Sequence, residues 1–298
     1  MAVKTVVASI NGQEYTLTLD EASGTYKATI TAPAKSSYNN NAGHYYPVSV
    51  TATDDAGNAT TVNDQDATLG DSLKLKVKEK VKPTIAVTYP SADATITTAT
   101  PTITWTVTDD DSGIDDSTIS IKIDTGTYVT ANITKTATAK GYSCSYKVPT
   151  SLANGAHSFS LKVSDHDGNE ATEVVTSFTV DTVPPTLTVD SPVNNLITNK
   201  ASLTVSGTTN DETSTPVTLT VNGAAVTVQS DGKFSTTITL KNGVNTITVV
   251  ATDAAGLKTT ITRTVTLDTG APVFQEITLT PNPVDAGATY VITVKVTD

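Results

Sequence analysis

The densest set of hard-oxygen side chains is DDDSGIDD, Asp109 to Asp116. Carboxylates at such spacing are the chemistry of calcium binding, and Asp109, Asp110, Asp111 and Asp115 are the candidate ligands. The run lacks the twelve-residue EF-hand pattern and its closing glutamate. A solvated turn is therefore the competing reading, and no cofactor, or calcium alone, is the expectation. Asp165, Asp167 and Asn169 form a weaker version of the same pattern. The second candidate is SSYNNNAGHYY, Ser36 to Tyr46, whose Tyr38, His44, Tyr45 and Tyr46 combine aromatic faces with adaptable polar groups suited to stacking on sugars. Its competing reading is a loop packed over an open domain edge.

Catalytic chemistry has no visible seat. Cys144 is the single cysteine and has no placeable His and acid partners, so it reads as a core residue. The three histidines, His44, His157 and His166, lack metal-ligand spacing. No G-x-S-x-G elbow occurs, and every carboxylate cluster falls in a turn. The expectation is that the chain is not an enzyme.

The elements that hold these residues are strands. The 298 residues are about one-fifth threonine, only 5% aromatic, and free of strong helix-forming runs. β-Branched side chains fit a pleated, half-buried surface, which predicts an all-β chain. A net charge of −11 with one arginine, Arg263, leaves no basic stripe for nucleic acid or for anionic membranes. No stretch is long enough to span a bilayer as a helix. The opening MAVKTVVASINGQEYTL has too short an apolar run for a Sec leader, which gives the expectation of synthesis and assembly in a cytoplasm.

Two patterns recur. A strictly alternating strand followed by an Asp-rich turn appears as VSVTATDDAGNATT at 48–61, FSLKVSDHDGNEAT at 159–172 and ITVVATDAAGLKTT at 247–260. A last strand running into proline follows each: KLKVKEKVKPTIAV at 74–87, FTVDTVPPTLTV at 178–189 and VTLDTGAPVFQEI at 265–277. Proline fixes φ and removes a donor, so these mark boundaries. The segments are 1–82, 83–182, 183–270 and 271–298. Strands are expected at 84–88, 101–108, 117–123, 127–133, 142–148, 156–165 and 171–181, and again at 186–189, 201–206, 216–222, 225–229, 233–240, 244–253 and 258–268. Trp105 falls on an inward position of its strand.

On these residues the chain resembles bacterial immunoglobulin-like domains, best over 183–270 and less fully over 83–182. The resemblance implies tandem β-sandwiches in an elongated array. By the alignment of Asn11-Gly12 with Asn222-Gly223 and of SGTYKATITAP with DGKFSTTITLKNG, segment 1–82 lacks the opening pair of strands. Segment 271–298 supplies such a pair and nothing more. Its Ile292, Val294 and Val296 fall where Ile103, Trp105 and Val107 fall, an inward apolar row, and with Ile277 and Leu279 they are the candidate assembly residues. Three readings of this tail stand: a cut piece of a longer protein, a local fold-back on the third domain, or donation of strands to the first segment of another copy, which would build a head-to-tail filament.

What the resemblance implies for function is a structural or adhesive surface role. The expectation is a phage virion or tail-associated protein assembled in the host cytoplasm. Its partners would be other virion or surface proteins, further copies of itself, and cell-surface or mucin glycans. The alternative is a bacterial cell-surface adhesin, or an accessory region of a secreted glycan-active enzyme.

Overall fold

Apolar residues at every second position decide which face of each strand meets a core. In the computed structural model, which describes residues 2–298, this alternation is realised in strands throughout. The chain divides into two compact units, Met1–Val180 and Asp181–Asp298. Among the described residues no helix is long and apolar enough to cross a membrane.

The first unit opens with one sheet. Its strands are β1 (Val3–Ile10), β2 (Gln13–Asp20), β3 (Thr25–Lys27), β4 (Tyr46–Asp54), β5 (Ala59–Val62) and β6 (Lys74–Leu75). The order is β3-β2-β1-β4-β5, with β6 paired to β4. Asn11 and Gly12 take φ of 50° and 76°, the geometry that a two-residue hairpin demands. Val6, Ala8 and Ile10 are buried on one side of β1. No second sheet faces this one among the described residues. In the stretch Ser23–Pro33, aligned in sequence with Asp231–Gly243, the strand is correspondingly short: it covers only Thr25–Lys27 and pairs with β2. Its counterpart in the third segment pairs with a strand for which this segment has no equivalent.

A complete sandwich follows. Its strands are β7 (Thr84–Tyr89), β8 (Ala94–Ile96), β9 (Thr102–Thr108), β10 (Ile114–Ile123), β11 (Ile133–Thr138), β12 (Gly141–Lys147), β13 (Gly155–Asp165) and β14 (Val174–Val180). Sheet β11-β12-β9-β7 supplies Ile103, Trp105 and Val107, and sheet β10-β13-β14-β8 supplies Phe159, Leu161, Val163 and Phe178. All seven are at most 2% exposed. Each contributes roughly 1.5–3 kcal/mol through burial, so the sandwich stands without a disulfide. The strand expected at 127–133 is displaced to Ile133–Thr138, because Asp124 and Asn132 adopt positive φ and break the extended chain at both ends of the intervening loop.

The second unit repeats this plan with β15 (Thr186–Ser191), β16 (Leu196–Thr198), β17 (Ser202–Asn210), β18 (Thr218–Val221), β19 (Ala224–Val226), β20 (Lys233–Thr239), β21 (Gly243–Thr252) and β22 (Lys258–Leu267). Sheets β15-β17-β20 and β16-β22-β21-β18-β19 enclose Val205, Phe234, Ile247, Val249 and Val265. Two short strands were not expected. β8 and β16 run parallel to the last strand of their own sandwich. Finally β23 (Val273–Thr280) and β24 (Val291–Thr297) pair only with each other and are exposed throughout.

Candidate functional sites

Strand ends, not strand faces, collect the polar groups. Asp109 directly follows β9 and is buried. Its Oδ1 accepts the amides of Asp111 (3.0 Å) and Gly113 (2.7 Å), which ties the acidic run into a tight turn. The run then diverges. Asp110 forms an exposed ion pair with Lys140 at 2.8 Å. Asp111 Oδ2 accepts the Ser36 amide at 2.9 Å. Asp115 Oδ1 accepts the Ser117 amide and hydroxyl. Of the four carboxylates singled out in the sequence, Asp109 alone enters a convergent group. Its companions are Glu79, from the segment before β7, and Asp165, at the end of β13; the three offer oxygens within 4.8 Å of one another.

Most of this group's oxygens are engaged internally. Glu79 Oε1 accepts the Ser112 amide at 2.7 Å, and Asp165 accepts both the backbone and the side-chain amide of Asn169. Burial raises the Glu79 carboxyl above its ordinary value, opposed by the Ser112 bonds. Asp167 Oδ2 accepts the Glu79 amide at 2.9 Å, and Lys78 donates to the Asp167 carbonyl. These contacts fasten the opening segment to the sandwich that follows.

The tyrosine loop makes the same junction. The Tyr38 ring lies between His44 (centroids 4.0 Å apart, planes 11° apart) and His166 (3.9 Å, 7°). Both of its faces are therefore covered. Asn39 Nδ2 donates to the Asp111 carbonyl. Tyr45 donates to Asp64 Oδ2 at 2.7 Å, and this bond pushes its phenol up. Tyr46 is buried and donates to the Lys35 carbonyl. His44 stays exposed, with Nδ1 at 2.5 Å from the Tyr38 carbonyl. The sequence groups these four residues by proximity, and the structure distributes them among stacking, hydrogen bonding and packing roles. Cys144 is buried and its thiol is pushed up to about 11 by desolvation, the state of an inert core residue.

A second convergent acidic group lies in the other unit and was not apparent from the sequence. Asp181, Asp211 and Asp253 are all buried and bring oxygens within 4.8 Å of one another. Each sits one residue beyond a strand. They are far apart in the chain, and each looks like an ordinary turn aspartate in its own window. The available signal is positional: Asp211 and Asp253 occupy the same places in their repeat as Asp109 and Asp165.

The exposed apolar row is the remaining feature. Ile277, Leu279, Ile292, Val294 and Val296 are between 43% and 59% exposed. Ile103, Trp105 and Val107, the expected counterparts of Ile292, Val294 and Val296, are at most 1% exposed.

Comparison with known proteins gives a match for each of three successive segments. Residues 2–71 match the bacterial Ig-like domain family, residues 83–161 the bacterial Ig domain family, and residues 185–269 domain B of glucodextranase. Bacillopeptidase F of Bacillus subtilis (strain 168) is 37% identical over 122 residues. That alignment covers 41% of this chain and 8% of the relative, so only a small part of that protein is represented here. Among solved structures, the fibronectin(III)-like modules of Clostridium thermocellum CbhA are 19% identical, with a TM-score of 0.38 and coverage of 62% of this chain and 94% of theirs. The titin I-band fragment I67–I69 is 14% identical, with a TM-score of 0.44 and coverage of 89% and 88%. Residues 2–71 and 83–161 thus match bacterial immunoglobulin-like families, and the chain's fold is a succession of immunoglobulin-like β modules.

Proposed function

We propose that this chain is a structural array in a bacterial cell-surface or extracellular protein, serving as the non-catalytic region that carries or separates other modules. The observation that supports this reading is the succession of two matches to bacterial immunoglobulin-like families and one to domain B of glucodextranase. The similarity to Bacillopeptidase F supports the same role beside a peptidase. The virion and tail role expected from the sequence has no support in these comparisons, which favour the surface alternative. Antibodies raised against residues 83–270 test the choice. Labelling of intact cells of the encoding organism, or recovery from their medium, is the expected result. Labelling confined to phage particles released by lysis overturns it.

A second reading concerns assembly, and the exposed row on β23–β24 favours it. Ile277, Leu279, Ile292, Val294 and Val296 form one side of a two-stranded sheet, a unit that is marginal alone in water. The opening sheet β1–β6 has no facing sheet and offers the complementary need. Docking of the hairpin on that sheet of a second copy satisfies both and propagates head to tail. Light scattering tests it by comparing the chain with a form lacking residues 271–298. Higher mass for the longer form alone is expected, and equal monomeric masses refute homotypic docking.

A further inference from the structure

We propose that Asp181, Asp211 and Asp253 form a calcium site in the second unit. Asp181 is 0% exposed, Asp211 7% and Asp253 5%. One oxygen of each carboxylate is committed to the local backbone. Asp181 Oδ1 accepts the Val183 amide (3.2 Å), Asp211 Oδ1 accepts the amides of Thr213 and Ser214 (2.8 and 2.6 Å), and Asp253 Oδ1 accepts the Leu257 amide (2.8 Å). These bonds fix the carboxylates in place. They leave Asp181 Oδ2 and Asp253 Oδ2 fully buried with no hydrogen-bond partner. The buried Ser214 hydroxyl is unpartnered as well, and Ser214 is held at this place by the bond from the Ala254 amide to its carbonyl. None of the three carboxylates takes part in an ion pair among the described residues.

A buried carboxylate without a partner is strongly unfavourable, and three together add mutual repulsion. The arrangement needs positive charge. Oxygens bound to one Ca²⁺ lie at about 2.3–2.6 Å from it, so two of them stand at most about 5 Å apart. The observed limit of 4.8 Å fits a cation seated among the three. Calcium also accepts an irregular set of several carboxylate oxygens, whereas Mg²⁺ demands a near-ideal octahedron and keeps several of its waters.

The site joins three separate stretches: the segment entering the sandwich, the loop after β17 and the loop after β21. Its bound ion would cross-link one end of the domain. The arrangement recurs in the first unit, where Glu79, Asp109 and Asp165 hold the same positions. Ser112 stands three residues after Asp109, as Ser214 stands after Asp211, and its hydroxyl is likewise buried and unpartnered. There the carboxylates have more internal donors, so the second unit holds the stronger site.

The test uses the full chain stripped with a chelator, titrated with CaCl₂ or MgCl₂ in a calorimeter and then melted. Calcium is expected to bind and, at about a hundredfold over its Kd, to raise the transition of the second unit by about 10 °C or more. MgCl₂ should give a much smaller shift. Asp253→Asn should weaken calcium binding at this site at least tenfold, and Ser214→Ala should weaken it less while keeping the fold. Absence of both heat and shift in millimolar CaCl₂ overturns the proposal. So does an Asp253→Asn protein that gains stability while the parent ignores calcium, because the cluster then holds uncompensated repulsion and no ion.

Discussion

Replacing Gly207 by alanine probes the backbone packing on which the sandwich of the second unit depends. Gly207 lies in β17, the central strand of its sheet, facing Val189 on one side and Phe234 on the other. A Cβ there would stand 2.0 Å from the Thr188 carbonyl oxygen and 2.9 Å from Phe234 Cζ. Phe234 is 2% exposed and cannot swing away, and a backbone oxygen has no rotamer to adopt. The edge strand β15 must therefore retreat by more than an ångström, which sacrifices its pairing around Val189. Overpacking costs about 1–3 kcal/mol, and the loss of one or two ladder bonds about 1 kcal/mol each, for a total near 3 kcal/mol. For a sandwich of this size that is a fall of about 15 °C in its melting temperature. Differential scanning calorimetry measures it. Fluorescence of Trp105, the single tryptophan, reports the other sandwich and so assigns the peaks. Gly223→Ala is the control: its φ is 83°, but nothing lies within 4 Å, so it incurs only the left-handed backbone penalty of about 1–2 kcal/mol. A Gly207→Ala protein that melts no lower than the Gly223→Ala protein refutes the close-approach argument.

Other perturbations test the first unit. His157 Nδ1 lies 2.8 Å from Asp124 Oδ2; burial pulls its pKa down, but the Asp124 and Ala153 hydrogen bonds outweigh this and leave it raised. Its stabilising contribution is complete below the ordinary value near 6.5 and is lost as pH rises through the higher folded value. Trp105 melts from about pH 5 to about pH 8 should show this decline in the parent and a flatter profile in Asp124→Asn; identical profiles remove His157 from the account. Tyr38→Ala deletes two stacked contacts of about 0.5–1.5 kcal/mol each, so the loop at 36–46 should be nicked faster in limited proteolysis. An unchanged cleavage rate refutes the clamp. Trp105→Ala empties the centre of the β7–β14 sandwich and should lower its stability by about 3–5 kcal/mol in urea titrations; a loss below 1 kcal/mol contradicts its core placement.

Features that depend on local chemistry were legible in the sequence. Alternation placed Ile103, Trp105 and Val107 on a buried face, because period two is an intrinsic property of a strand. Asn222-Gly223 announced its hairpin because few other residues tolerate φ of 51° and 83° in succession. Features set by distant partners were not legible. β8 and β16 are three residues long, too short to display a period, and exist only because the last strand of each sandwich, 84 residues later for β8 and 69 for β16, offers a parallel edge. The shortened β3 shows the converse, since a run with good strand composition stays irregular where its pairing edge is missing.

The acidic residues show why density along a chain is a poor guide to a binding site. Within Asp109–Asp116 the turn points successive carboxylates in different directions, to Lys140, to the Ser36 amide and to the Ser117 amide. In a sandwich, residues one step past the ends of different strands converge instead, because the connections gather at the ends of the two sheets. Asp181, Asp211 and Asp253 meet in this way although each is isolated in sequence. Position within the repeat is therefore the informative coordinate: what Asp211 and Asp253 do in one sandwich, Asp109 and Asp165 do in the other. Burial at those positions removes solvation that the local amide donors replace only in part, which leaves Asp181 Oδ2 and Asp253 Oδ2 without a partner. A rise of both calorimetric transitions with calcium, the second unit responding first, would show that the two clusters answer to the same ion.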